Sequence, residues 1–283
     1  MIYDTIIVGK GPAGITAAIY LKRYGHHPLV IAKDGGALQR VKEIENYYGI
    51  PSITGPELLE QGILQAKALD IPMLEEEVLD ISYEGVYTLH TNKNQYQAQT
   101  IILACGTSRN LFYKARGLDG ISYCATCDGF FYRKKKVALI GNGSYMAHEL
   151  SVLHHIIKDI MVFTDGLPLE VEIPEHIPVI LDKIDHVHGE TRITSIEAGG
   201  IQHEVDGCFV AIGNASGFTI AKHLGIALDN KNCIIVDENF MTNLEGLFSC
   251  GDSIGGLLQI SKAVGEGAKC ATAVSNYLKK HNF

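Results

Sequence analysis

The sequence lacks three features that would place it in other protein classes. No apolar run reaches the ~18 residues that a membrane-spanning helix needs. Basic residues are outnumbered, 24 to 32, and the net charge of −8 argues against a general nucleic-acid binder. No positively charged leader precedes the first apolar segment, which predicts a strand and not a signal peptide. We therefore expect a cytoplasmic protein that binds neither membranes nor nucleic acids.

The seven cysteines are mostly scattered, and an odd number in 283 residues does not suggest a secreted disulfide scaffold. Cys124 and Cys127 are the exception, because their spacing suits a small, reducible disulfide. Asp128, next to the second cysteine, is able to move a proton during thiol–disulfide exchange. Structural zinc sites use the same spacing, but they need a second ligand pair nearby, and none follows. The sequence favours a redox pair.

A metal site is not predicted elsewhere either. His148-Glu149 begins like the HExxH zinc motif. The next histidine, His154, comes six residues after His148 instead of four, so it would not share the helix face. We predict no metal ligands in this chain.

A strand–glycine–helix pattern opens the chain. The strand at residues 5–8 runs into Gly9, Gly11 and Gly14, and a helical stretch follows. In dinucleotide sites the first glycine allows a tight turn, the second lets the backbone approach a pyrophosphate, and the third lets helix and strand pack closely. The helix N-terminus attracts the anion. After the next strand, Asp34 is a candidate partner for a ribose hydroxyl.

A segment near the end of the chain supports the same site. A predicted strand ends in Gly251-Asp252, and a helix is predicted over residues 259–278. Such a unit is able to direct a carboxylate and a helix N-terminus at the ribityl and phosphate groups of a cofactor.

A second strand–glycine–helix pattern lies in the middle of the chain. Its motif, Gly141-Asn142-Gly143-Ser144-Tyr145-Met146, has methionine where the third small residue is usual. We expect this side chain to push the helix off the strand and to fill space that a pyrophosphate needs. The sequence Thr164-Asp165-Gly166, after the next strand, lacks the basic residue that NADP selection requires. A domain kept as scaffold is the better interpretation, although Asp165 is able to hold the ribose of NADH.

The two patterns predict an α/β protein with two Rossmann-like domains of the FAD/NAD(P)-binding type, the second inserted in the first. Residues 1–113 and 242–283 would form the FAD-binding domain. Residues 114–241 would form a central domain that carries the redox cysteines and a degenerate pyridine-nucleotide site. We expect linkers near residues 109–117 and 239–242.

Over essentially its whole length the chain resembles the low-molecular-weight flavoprotein thioredoxin reductases. The matching segments are Gly9-Lys10-Gly11-Pro12-Ala13-Gly14, Glu45-Asn46-Tyr47-Tyr48-Gly49, Ala104-Cys105-Gly106-Thr107, Cys124-Ala125-Thr126-Cys127-Asp128-Gly129-Phe130-Phe131-Tyr132-Arg133, Phe209-Val210-Ala211-Ile212-Gly213 and Cys250-Gly251-Asp252. It is most similar to the ferredoxin-dependent, NADPH-independent branch. NADPH-dependent members carry a small residue in place of Met146 and a His-Arg-Arg run in place of Thr164-Asp165-Gly166, and their next segment is longer and not broken by prolines.

The resemblance implies a bound FAD. Its pyrophosphate would be held by Gly9, Gly11, Pro12, Ala13 and Gly14, its adenosine half by Lys33, Asp34, Gly35, Gly36 and Ala37, and its remaining parts by Asn46, Gly106, Gly251, Asp252, Gln259 and Ile260. Asp252 would take the ribityl chain, and Gln259 with Ile260 would lie near the flavin ring.

The resemblance also implies the roles of the cysteines and the partners. Electrons would pass from ferredoxin through FAD to Cys127, while Cys124 would exchange with thioredoxin and Asp128 would be the acid/base. Thioredoxin would dock on Phe130 and Phe131, although by residue type these phenylalanines are equally typical of a core. The basic run from Arg133 and Lys134 to Lys136 would steer an acidic ferredoxin. A homodimer is implied as well. An NADH- or NADPH-dependent disulfide reductase and a redox-inert flavin-binding regulatory protein are the alternatives.

Overall fold

The computed structural model describes residues 2–106, 113–115, 117–213 and 217–281. The chain divides into two compact units, residues 1–108 with 216–283 and residues 109–215. The predicted α/β class, with a second Rossmann-like domain inserted in the first, is confirmed. Compactness groups residues 216–241 with the first unit, while the sequence-based domain limits stay a prediction. The expected linker at 109–117 falls largely outside the described residues.

The strands are β1 (Ile2–Val8), β2 (Pro28–Ile31), β3 (Met73–Leu74), β4 (Val78–Tyr83), β5 (Tyr87–Thr91), β6 (Gln95–Leu103), β7 (Ile121–Ser122), β8 (Lys136–Ile140), β9 (Asp159–Phe163), β10 (Val179–Ile180), β11 (Ile184–Gly189), β12 (Ile193–Ala198), β13 (Ile201–Glu204), β14 (Gly207–Val210) and β15 (Leu247–Ser249). The helices are α1 (Pro12–Arg23), α2 (Gly55–Lys67), α3 (Ala125–Asp128), α4 (Ser144–Ile156), α5 (Gly217–Leu224) and α6 (Ile260–Lys280).

The sheet of the first unit has the order β3-β2-β1-β6-β5-β4, and β15 pairs with the second half of β6. The second halves of β1 and β6 are buried and largely apolar, as expected of parallel strands that are covered on both faces. Because β1, β6 and β15 are parallel and in register at Val8, Leu103 and Ser249, the segments that follow them emerge at one edge of the sheet. Ligands of open α/β sheets bind at this carboxyl edge.

The second unit repeats this arrangement. Its parallel sheet has the order β10-β9-β8-β14-β7, beside an antiparallel sheet of β11, β12 and β13. The register pairs Ile140 with Phe163 and Val210, and Phe209 with Ser122. The second glycine motif and the cysteine segment therefore leave the same edge of this sheet.

Candidate active site

The first glycine motif forms an open cradle at the start of α1. A Cβ on Gly9 would lie 2.3 Å from the Ala104 carbonyl oxygen, and one on Gly14 would lie 2.0 Å from the Gly9 carbonyl oxygen. Gly9 also has φ +114°, which glycine adopts readily. Nothing lies within 4 Å of the position a Cβ on Gly11 would take, and no side chain caps the helix that begins at Pro12. The backbone N–H groups of the first turn are therefore available to an anion.

Asp252 follows β15, at the same edge of the sheet as the cradle, and one of its carboxylate oxygens has no hydrogen-bond partner among the described residues. Its Oδ1 is buried and accepts no hydrogen bond from any described residue. Burial raises the pKa of this carboxyl, and the Lys262 ammonium opposes that shift. Lys262 itself donates to the Gly251 carbonyl oxygen at 2.9 Å and contacts Glu266 at 3.0 Å. A buried acceptor without a hydrogen bond costs folding free energy, so we expect a ligand hydroxyl group to donate to Asp252 Oδ1.

Helix α6 and the segment around Asn46 meet at the same site. Gln259 precedes the first residue of α6, Ile260, and its Oε1 accepts a hydrogen bond from Asn46 Nδ2 at 3.0 Å. A Cβ on Gly267 would lie 2.3 Å from the Ala13 carbonyl oxygen, so α6 packs closely on the glycine motif. Gly106 follows β6 with φ +69°. The fold thus brings together residues that are over 200 positions apart in the sequence.

The segment predicted to bind the adenosine half is a tight turn after β2. Asp34 Oδ1 accepts a hydrogen bond from Gly36 N at 2.8 Å, so one carboxylate oxygen supports the turn itself. Gly35 lies against Leu59, and Ala37 lies in the short 3-10 helix at Gly36–Arg40. The Lys33 ammonium contacts the Glu77 carboxylate at 3.2 Å.

The redox cysteines form a disulfide at the start of α3, with their Cα atoms 5.3 Å apart. Cys124 is 1% exposed, whereas Cys127 is exposed. Ser122, at the end of β7, donates a hydrogen bond to Asp128 Oδ2 at 2.7 Å and accepts one from Cys124 N at 3.1 Å. Asp128 is thereby fixed beside the disulfide, where it is able to exchange a proton.

The second glycine motif is filled by its own chain. Asp165 Oδ1 accepts hydrogen bonds from Lys114 Nζ at 2.6 Å and from Ile184 N at 2.8 Å. Asn142 donates from Nδ2 to the Pro168 carbonyl oxygen at 3.0 Å, and its backbone carbonyl oxygen accepts from Glu170 N at 2.8 Å. Asp165 and Asn142, which lie where a dinucleotide would bind, therefore hold the segment after β9 in place.

Met146 does not act as predicted. Its side chain is fully buried, and its Cβ is 2.8 Å from the position a Cβ on Gly141 would take. The expected displacement of the helix from the strand is therefore wrong, because the methionine packs into the core while the backbone stays close. The space next to the motif is occupied instead by Glu170, whose Oε2 is 3.4 Å from the Cβ position of Gly143.

The predicted docking residues lie on an exposed surface, which we call the docking patch (Phe130, Phe131, Arg133, Lys134). Phe130 is 60% exposed and Phe131 is 70% exposed, which excludes a core role for either. The Arg133 guanidinium lies over the Phe130 ring, 4.2 Å from its centroid, and Lys134 is exposed. The patch joins apolar and positive surface.

Among the described residues, no group of three or more metal-ligating side chains is arranged to hold a metal ion. None of the helices in the described ranges is long and apolar enough to cross a membrane.

Comparison with known proteins identifies the family. The family model described as pyridine nucleotide-disulphide oxidoreductase matches residues 3–267. The chain belongs to this family, among the low-molecular-weight thioredoxin reductases. It is 32% identical to a thioredoxin reductase of Mycolicibacterium smegmatis, over 96% of this chain and 95% of the relative.

Two solved structures are similar over 98% of both chains. The atypical thioredoxin reductase TRi of Desulfovibrio vulgaris Hildenborough is 33% identical, with a TM-score of 0.88. A ferredoxin-flavin thioredoxin reductase of Clostridium acetobutylicum is 25% identical, with a TM-score of 0.71. Thioredoxin reductases of this family bind FAD, and the cradle fits that group. The open approach at Gly11 suits a pyrophosphate, and the orphaned Asp252 Oδ1 suits a ribityl hydroxyl. The protein is a flavin-dependent disulfide oxidoreductase.

Several polar residues near Gly251 and near the cysteine pair were not predicted from the sequence. Lys262 and Glu266 bind the backbone of Gly251, and the buried carboxylate of Glu149 accepts a hydrogen bond from Ala125 N at 2.8 Å. Ser122, which donates to Asp128, was not predicted either. The sequence signals were weak: Glu149 is an acid on an otherwise apolar helix face, and the other three are single polar residues of types that are mostly exposed.

Proposed function

We propose that this protein is a ferredoxin-dependent flavin thioredoxin reductase, in which the Cys124–Cys127 pair passes electrons to thioredoxin. The observation that carries the choice of donor is the engagement of Asp165 by Lys114 and Ile184. Asp165 Oδ1 is committed to two donors of its own chain, which weakens Asp165 as a partner for the ribose of NADH. The segment Thr164-Asp165-Gly166, directly after β9, has no basic residue to select NADPH. The likeness to a ferredoxin-flavin thioredoxin reductase supports the same choice.

When bound, FAD supplies a two-electron carrier that is also able to accept electrons singly, as a one-electron donor requires. We assign its pyrophosphate to the backbone of Gly9 to Gly14 and its ribityl chain to Asp252. Gln259, Ile260, Asn46 and Gly106 would surround the remaining parts.

The cysteines carry the exchange with thioredoxin. In the dithiol state, the Cys124 thiolate attacks one sulfur of the thioredoxin disulfide, and the other sulfur leaves as a thiolate. The Cys127 thiolate then attacks Cys124 Sγ, which releases reduced thioredoxin and restores the Cys124–Cys127 disulfide. Asp128, oriented by Ser122, is the acid/base for the thiol protons. Because Cys124 is buried, it must be uncovered before it meets thioredoxin.

The docking patch provides a surface for the partners. Exposed aromatic rings next to cations suit a protein partner, and a local positive charge on a chain of net −8 would steer an acidic ferredoxin. We also propose a cytoplasmic homodimer, which follows from the family resemblance and which light scattering of the purified protein would test.

The deciding experiment is anaerobic flavin absorbance of the purified holoprotein, with NADPH, NADH or reduced ferredoxin as donor and thioredoxin as final acceptor. We expect ferredoxin alone to bleach the flavin and to support thioredoxin reduction. Rapid bleaching by either pyridine nucleotide would overturn the choice of donor. Absence of thioredoxin reduction with every donor would favour a redox-inert flavin protein.

The matched control is Cys124→Ser. This variant should bind flavin and be bleached by ferredoxin as the wild type is, yet give no thioredoxin turnover. Normal turnover in Cys124→Ser would show that the attacking sulfur belongs to another cysteine.

A further inference from the structure

The helix that follows the second glycine motif reaches the redox cysteines. Glu149 lies on α4 and is 2% exposed, and its Oε2 accepts a hydrogen bond from Ala125 N at 2.8 Å. Ala125 is the first residue of α3 and is bonded directly to Cys124. A buried carboxylate of the degenerate nucleotide-binding half therefore lies at the first peptide group of the redox helix.

Two groups near Cys124 act on its thiolate in opposite directions: the backbone N–H of Cys127 and the carboxylate of Glu149. Cys124 is the N-cap of α3, and its Sγ accepts a hydrogen bond from Cys127 N at 3.0 Å. A backbone N–H that donates to a cysteine sulfur stabilises the thiolate form. The Glu149 carboxylate accepts from a different backbone group, Ala125 N, and in its ionised form it places a like charge near Cys124, which disfavours the thiolate.

The balance matters because thiolate stability decides whether a cysteine pair gives or takes electrons. A pair whose reduced form is strongly stabilised is an oxidant. A thioredoxin reductase needs the opposite behaviour, since its dithiol must reduce a partner that is itself a reductant.

We propose that Glu149 is a positioning residue that holds the start of α3 and whose negative charge keeps the Cys124–Cys127 pair strongly reducing. This role would explain what the second motif still does in a chain whose nucleotide site is filled: its helix supports the cysteines. The proposal rests on the proposed function only in assuming that Cys124 and Cys127 are the redox pair.

The test is Glu149→Gln in the holoprotein. Glutamine has nearly the same size and retains an oxygen that accepts from Ala125 N, so it removes the charge and keeps the hydrogen bond. The variant and the wild type are equilibrated with glutathione redox buffers and alkylated, and the peptide with Cys124 and Cys127 is quantified by mass spectrometry. We expect the equilibrium to move about tenfold toward the dithiol, which corresponds to about 30 mV for a two-electron couple. The pH profile of alkylation of the reduced pair should move to lower pH.

Glu172→Gln is the control, because it removes an exposed carboxylate from the same unit and should leave both readouts unchanged. Glu149→Met is the second variant; it removes charge and acceptor together, and it should shift the equilibrium in the same direction. A purely structural Glu149 would leave the equilibrium and the pH profile of a folded Gln or Met variant at wild-type values, and that result would overturn the proposal.

The readouts need no electron donor and no thioredoxin. A pyridine-nucleotide donor would therefore refute the proposed function and leave this inference standing. A cysteine pair that glutathione and dithiothreitol both fail to reduce would refute the two together.

Discussion

The two glycine motifs of this chain have nearly the same backbone but different surroundings. Gly9 N and Gly141 N each donate to a carbonyl oxygen of the neighbouring strand at 2.9 Å. A Cβ on either glycine would lie 2.3 Å from a carbonyl oxygen, that of Ala104 or that of Ala211. In both units the motif therefore builds the same tight turn at the carboxyl edge of a parallel sheet.

The surroundings of the two motifs differ in open space and in unpaired polar groups. Next to the first motif, Gly11 has open space and Asp252 Oδ1 has no partner among the described residues. Next to the second, Gly143 has the Glu170 carboxylate beside it, and Asp165 Oδ1 accepts two hydrogen bonds. A glycine motif therefore specifies a turn, while ligand binding depends on space and polar groups that the chain leaves unused.

The largest loss of stability and of flavin is expected from a side chain introduced at Gly14, inside the first cradle. Gly14→Ala places a Cβ 2.0 Å from the Gly9 carbonyl oxygen, where only a backbone shift can relieve the clash. We expect a loss of about 3 kcal/mol in the free energy of unfolding, with loss of flavin, measured by urea unfolding and absorbance.

Gly11→Ala is the matched control. Its Cβ enters open space, so the folding free energy should stay within about 1 kcal/mol of the wild type while flavin affinity falls. Equal destabilisation by the two substitutions would contradict the division of roles between these glycines.

Replacing Asp252 and replacing Asp165 should change the stability of the protein in opposite directions. Burial raises the pKa of Asp252 above its ordinary value of 3.8, so the folded apoprotein binds this proton more tightly than the unfolded chain does. The contribution of Asp252 to stability therefore falls as pH rises from about 4 through the raised pKa. Asp252→Asn should remove this dependence, raise the Tm of the apoprotein at pH 7 and weaken flavin binding. A lower Tm at pH 7 would show that the carboxylate is already satisfied without the cofactor.

Asp165→Ala should act in the opposite direction. It leaves Ile184 N without its acceptor and removes the carboxylate that pairs with the Lys114 ammonium, which keeps its hydrogen bond to the Ile184 carbonyl oxygen; the change should cost about 1–2 kcal/mol by urea unfolding. Flavin content should not change. If this variant were as stable as the wild type, the filling of the second motif would not depend on Asp165.

The sequence predicted the parts of this comparison that follow from local patterns. The strands before Gly9 and Gly141, the helices after them and the cysteine pair are visible because glycine spacing and apolar runs are local. The contacts around the second motif could not be predicted, because Lys114 with Asp165 and Asn142 with Pro168 join residues that are distant in the sequence. The bond of Glu149 to Ala125 at the cysteine helix was missed for the same reason. Met146 was misjudged for the same reason, because whether a long side chain blocks a site or enters the core depends on packing.

The smallest expected effect concerns Glu170, whose carboxylate lies at the N-terminus of α4. Glu170→Gln removes a charge that the helix dipole favours, so the free energy of unfolding should fall by about 0.3–1 kcal/mol, and less at high salt. Glu175→Gln, an exposed change on the same segment, is the control and should have no such salt-dependent effect. NADH should still fail to bleach the flavin in Glu170→Gln, because Asn142 and Asp165 remain engaged. A variant that gained NADH-dependent bleaching would mean that one carboxylate, and not the whole filled segment, separates the second motif from a working nucleotide site.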